Sequence, residues 1–160
     1  MVVPDPFPPK LGAVTDAAPS LFSRVGGEPF FEALTAAFYR RVATDDVLAP
    51  LYADYPDLRP GERHLALFLQ QYWGGPTTYM EERGHPRLRM RHFGFRVGPL
   101  ERDRWLVHMA AAVEEVCADL PDGDEVAAEL MAYFVPAAEH LRNDTGLPIS
   151  SASYPREGRS

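Results

Sequence analysis

Five histidines hold most of the metal-binding capacity of this chain: His64, His85, His92, His108 and His140. None forms the close pair that a protein-built zinc site needs. No phosphate-cradling glycine loop, HExxH pair, CxxC pair or GxSxG elbow occurs. Cys117 falls in the longest helical pattern and reads as a buried small hydrophobe rather than a nucleophile. A single histidine still suffices where the metal arrives inside a macrocycle that supplies four nitrogens itself. His92 has the best surroundings for that role, with Arg91 beside it and Phe93 and Phe95 following. A neutral imidazole can bind haem iron, an arginine can meet a propionate, and aromatic rings can cover a porphyrin. A capping or surface histidine is the competing reading.

A second set of residues offers hydrogen-bond donors on apolar bodies: Tyr39, Tyr52 and Trp105. Each needs a polar partner when buried. Tyr39 sits one residue off the Phe31/Phe38 stripe, at the edge of a buried face. Tyr52 follows in an irregular connection, and Trp105 lies on a long helix. By composition alone these are equally three ordinary core residues. Charge adds a third feature. The window 83–96 holds Arg83, Arg87, Arg89, Arg91 and Arg96 and no acid, in a chain of net charge −7. It suits a local anionic partner, or a solvated face that pairs with the chain's own carboxylates.

The elements that must position these groups are helical. Ser20 caps a short helix that ends at Gly26-Gly27. Pro29 opens a helix over 28–43, with Phe31, Leu34, Phe38 and Val42 on one face. A short helical piece spans roughly 46–51. Leu65, Leu69 and Tyr72 mark a helix over 62–73, stopped by Gly74-Gly75-Pro76. Pro86 opens a short helix over 86–93. Pro99 starts a long helix to about 118, striped by Trp105, Met109, Val113 and Val116. The last runs from about 123 to 142, capped by Asp122 or Asp124, with Val126, Leu130, Phe134 and Leu141 in register. Strand-like alternation is absent, so the class is all-α.

The 160 residues fit one domain, and 46% hydrophobic content supplies a core without disulfides. The expected organisation is a Pro-rich N-terminal tail over 1–19, a folded unit over 20–145 and a second tail over 146–160. The acidic balance argues against nucleic-acid binding. No apolar run reaches membrane-spanning length. The start lacks the pattern of a secretory signal. A cytoplasmic location is the expectation, in keeping with the single cysteine.

Taken together, VGGEPFFEALTAAFYRRVATDDVLAPLY and LALFLQQYWGGPTTYMEERGHPRLRMRHFGFRVGPLERDRWL resemble the truncated haemoglobins. Within them the chain is similar to the group II, or O-type, branch of actinobacteria, over roughly residues 20–143. The resemblance implies a two-over-two helical sandwich around haem b (iron protoporphyrin IX). It implies His92 as the iron ligand and Tyr39, Tyr52 and Trp105 as distal donors. Gly61 falls where other globins often carry a distal histidine. Leu65, Phe68, Leu69, Leu88, Met90, Phe95 and Met109 would line the haem. Arg91, Tyr79 and His64 would meet the propionates.

Dioxygen and other diatomic gases, nitric oxide and carbon monoxide among them, are the implied ligands. A hydrogen bond to a charged partner is worth roughly 1.5–3 kcal/mol, so one such donor slows ligand escape by roughly tenfold or more. Reversible gas binding, with oxygen transport as one use of it, is therefore the first reading. A redox enzyme acting as a nitric oxide dioxygenase or a peroxidase is the second. It would require a separate reductase, because no flavin or nicotinamide domain is fused here. A haem-free helical interaction module is the third. A homodimer stays open beside the monomer.

Overall fold

The structure is a computed structural model that describes residues 19–52, 57–84 and 97–141. The expected helix over 86–93 and, apart from Pro19, both expected tails lie outside those residues. The described elements are α1 (Leu21–Arg24), α2 (Glu28–Val42), a 3-10 turn (Ala49–Tyr52), α3 (Arg59–Tyr72), α4 (Thr78–Arg83), α5 (Pro99–Cys117) and α6 (Gly123–His140). Among the described residues there is no strand, and no helix is long and apolar enough to cross a membrane. The all-α expectation holds.

Three of the main helices open on a proline in their first turn: Pro29, Pro60 and Pro99. The missing N–H costs nothing there, and the fixed φ suits the helix. This explains why α3 starts at Arg59 and not at 62. The Arg59-Pro60-Gly61 run reads as a breaker but acts as a helix start. At the head of α5 the Glu101 carboxylate accepts the Gly98 N–H at 2.9 Å. Ser20 caps α1 as expected, its hydroxyl accepting the Ser23 N–H at 3.2 Å. Asp122 occupies the cap position of α6 but makes no side-chain cap bond. It faces Arg24 at 3.6 Å instead.

α4 is an addition to the expected elements. Six mostly polar residues are too short to show periodicity. Tertiary contacts hold them: the Gln71 side-chain oxygen accepts the Met80 N–H at 3.0 Å, and Tyr79 is buried edge-on against Phe68 at 5.5 Å.

α2 packs on α3, α5 packs on α6, and α2 lies across α5. The result is two layers of two helices, as expected. The predicted stripes meet between them: Phe31, Leu34 and Phe38 from α2, Leu69 from α3, Met109 and Val113 from α5, and Val126, Leu130 and Phe134 from α6. Burying each such side chain contributes about 1.5–3 kcal/mol. Cys117 is buried, and burial raises its pKa.

The Gly74-Gly75 pair is required by close approach. Gly74 has φ +100, and a Cβ there would meet the Ser20 Cβ at 2.6 Å; one on Gly75 would meet the Phe22 ring at 2.6 Å. The Phe22 N–H completes this junction by donating to the Trp73 carbonyl at 3.0 Å. The Trp-Gly-Gly run therefore lets α1 close over the end of α3.

Candidate functional site

Between the layers lies a cavity of about 240 Å³ to which every element from α2 onward contributes. α3 supplies Gly61, His64, Leu65, Phe68 and Leu69. Their spacing is one helical stripe, so a single face of α3 forms one wall. α2 supplies Phe38 and Tyr39, the 3-10 turn Leu51 and Tyr52, and α4 Tyr79 and Arg83. Trp105 comes from α5, and Tyr133 and Phe134 from α6.

Nine residues expected at the site therefore line one cavity: Tyr39, Tyr52, Gly61, His64, Leu65, Phe68, Leu69, Tyr79 and Trp105. Met109 is fully buried in the core and is not among the lining residues. Leu88, Met90, Arg91, His92 and Phe95 lie outside the described residues.

The three aromatic donors are neighbours. Tyr39 and Tyr52 meet edge-on with ring centroids 6.3 Å apart, and their hydroxyls hydrogen-bond. Burial is the main cause that raises the pKa of both phenols, and the bond between them adds to the rise at Tyr39 and opposes it at Tyr52. The electrostatic effect of the nearby Tyr52 also contributes to the rise at Tyr39. Both remain protonated through the neutral range and stay donors. Phe38 links them to Trp105, lying 5.2 Å from the Tyr39 ring and 5.1 Å from the Trp105 ring. Gly61 faces Tyr39 directly, since a Cβ on it would stand 3.4 Å from the Tyr39 hydroxyl.

The polar side chains of the wall include His64, Arg83 and Arg102. Arg83 Nη1 lies 3.3 Å from His64 Nε2, and its guanidinium sits 6.0 Å from the Tyr79 ring centre. Arg102 pairs with Asp103 and Glu139.

Several lining residues escaped the sequence reading, Phe38, Leu48, Leu51, Tyr133, Phe134 and Arg102 among them. Phe38 and Phe134 were assigned to the core, which they share with the cavity wall. Arg83 carried a signal as the first arginine of the basic window. Asp45 carried none. Its side chain is 2% exposed and accepts four hydrogen bonds. Oδ1 takes the Val47 and Leu48 amides at 2.7 and 2.8 Å. Oδ2 takes Arg104 at 2.8 Å and His108 at 2.6 Å. Burial alone would raise the Asp45 pKa, but these donors outweigh it and hold the carboxyl well below its ordinary range.

A two-over-two helical fold around an aromatic cavity with this donor set defines a class, the small haem-binding globins. Similarity to known proteins agrees. The family model for bacterial-like globins matches residues 20–139. A group 2 truncated hemoglobin of Bacillus subtilis is 36% identical over 119 residues, 74% of this chain and 86% of the relative. The crystal structure of a thermostable hemoglobin from the actinobacterium Thermobifida fusca is 51% identical. It superposes with a TM-score of 0.73, over 78% of this chain and 98% of that one. A structure described as a truncated oxygen-avid haemoglobin from Bacillus subtilis is 34% identical with a TM-score of 0.68, over 78% of this chain and all of that one. The chain belongs to the bacterial-like globin family, as a group II truncated haemoglobin.

The described residues fit haem. Leu65, Phe68, Leu69 and Phe134 offer an apolar wall to a flat macrocycle, and His64, Arg83 and Arg102 offer donors to its carboxylates.

Proposed function

We propose that this chain binds dioxygen, nitric oxide and carbon monoxide at the iron of haem b and releases dioxygen slowly. When bound, haem supplies an iron with an open position for a diatomic ligand. His92 is the residue we assign to the iron. Leu88, Met90 and Phe95 are assigned to the apolar surround, and Arg91, Tyr79 and His64 to the propionates. The observation that carries the reading is the hydrogen-bonded Tyr39–Tyr52 pair on the same cavity as Trp105.

The tryptophan and the tyrosine pair act differently. The Trp105 indole can only donate. Tyr39 and Tyr52 hydrogen-bond to each other, so the two act on a ligand as a coupled pair. A hydroxyl that accepts one bond donates the next more strongly. The coupled pair therefore offers a stronger donor than a lone phenol, and the apolar wall keeps water from competing for the ligand. Gly61 leaves the space above Tyr39 open. The Bacillus subtilis relative described as oxygen-avid supports slow release.

Dioxygen dissociation measured by rapid mixing tests the reading. Tyr52→Phe and Trp105→Phe should each raise the rate roughly tenfold, the equivalent of about 1.4 kcal/mol. Tyr39→Phe should raise it as well, and not additively with Tyr52→Phe. Unchanged rates in all three would overturn it. His92→Ala should lose haem, seen in the absorption spectrum.

A further inference from the structure

Tyr52 and Trp105 ride on two elements with no covalent reason to stay in register. One carboxylate joins them. Asp45 follows α2, and its N–H donates to the Val42 carbonyl at 3.1 Å. Oδ1 closes the turn onto Val47 and Leu48, and the Asp45 carbonyl takes the Ala49 N–H at 2.8 Å. These bonds set the start of the 3-10 turn that ends at Tyr52. Oδ2 faces the other way and holds Arg104 and His108. Those two lie four residues apart, on one face of α5, and Trp105 is the next residue after Arg104. Asp45 itself does not line the cavity, whereas Leu48, Leu51 and Tyr52 do.

Removing a carboxylate from water is expensive, and a hydrophobic replacement is often as stable. Holding one here is explained by what its fixed geometry positions. We propose that Asp45, gripped by Arg104 and His108, is a positioning residue that sets Tyr52 against Trp105 and so governs ligand release from outside the cavity. The inference rests on the distal roles given above.

The test uses the haem-loaded protein and two readouts beside thermal stability: the dioxygen dissociation rate and the infrared stretch of bound carbon monoxide. Asp45→Asn keeps an oxygen for the turn amides but turns an NH2 toward Arg104 and His108. It should raise the dissociation rate about fivefold, the effect of a lost pairwise coupling. It should also move the carbon monoxide stretch in the same direction as Tyr52→Phe. In a Tyr52→Phe background it should add less than about twofold. His108→Ala should repeat the effect and His108→Gln, which can still donate, should reverse it. The His108 pair decides the matter should Asp45→Asn not fold. Variants that lower stability yet leave rate and stretch unmoved, while Tyr52→Phe moves both, overturn the positioning role alone. If Tyr52→Phe moves neither, the distal reading falls and the positioning role with it.

Discussion

Two of the ion-pair clusters beside the cavity are built differently. On the α2–α5 side a single buried carboxylate, Asp45, gathers Arg104, His108 and two backbone amides. On the α3–α4 side Arg63 and Glu82 form a two-bonded pair at 2.9 and 3.0 Å, with side chains 55% and 41% exposed. The distances are alike and the surroundings are not. A buried charge has no water to fall back on, so each donor it loses is felt. An exposed pair exchanges one partner for solvent. Geometry at the donor end of the cavity is therefore fixed by chemistry, whereas the opposite end is joined by a contact that salt can dissolve.

The largest effect follows from removing the buried carboxylate. Asp45→Ala should destabilise the fold by about 3 kcal/mol, because Arg104, His108 and two amides lose their acceptor at once. The pH dependence has a definite sign. The folded pKa of Asp45 lies below its ordinary value of 3.8. Its contribution is complete above that value and is lost as pH falls from there toward the folded pKa. Denaturant titrations between pH 7 and 2.5 should show the wild type approaching Asp45→Ala only below about pH 4. A constant difference down to pH 2.5 would mean that the carboxylate charge is not what stabilises the turn.

A middle-sized effect is expected at Gly61. Its backbone is ordinary helix, so the glycine is not there for conformational freedom. It is there for space, with the Tyr39 hydroxyl 3.4 Å from where a Cβ would stand. Gly61→Ala meets only van der Waals contact and gains up to about 1 kcal/mol in helix propensity. Gly61→Phe fills the cavity above Tyr39. It should slow dioxygen association about tenfold, a barrier rise of about 1.4 kcal/mol. Association unchanged in Gly61→Phe would show that ligands do not pass this wall.

The sequence made legible whatever depends on local period and local chemistry. The Phe31, Leu34 and Phe38 stripe, the proline starts at 29 and 99 and the donor types of Tyr39, Tyr52 and Trp105 all belong to that kind. Asp45 was illegible for a physical reason. Its side-chain partners lie 59 and 63 residues away, and nothing in a turn sequence shows which distant side chains will face it. α4 was illegible because Gln71 and Phe68, rather than its own residues, make it a helix. Phe38 and Phe134 were read as core because a period cannot tell a packed face from a cavity wall.

The smallest effect belongs to the exposed pair, and its smallness is what the contrast requires. The bond to Arg63 lowers the Glu82 pKa, and that to Glu82 raises the Arg63 pKa, yet both groups stand in solvent that competes for them. Arg63→Ala should shift the melting temperature by no more than about 2 °C at low salt. The difference should shrink further as added salt screens the pair. Dioxygen dissociation should stay at the wild-type rate, since Arg63 does not line the cavity. A melting shift beyond about 5 °C that persists in high salt would place the α3–α4 pair beside Asp45 as a fixed element of the site. In that case burial would not be what separates the two ends of the cavity.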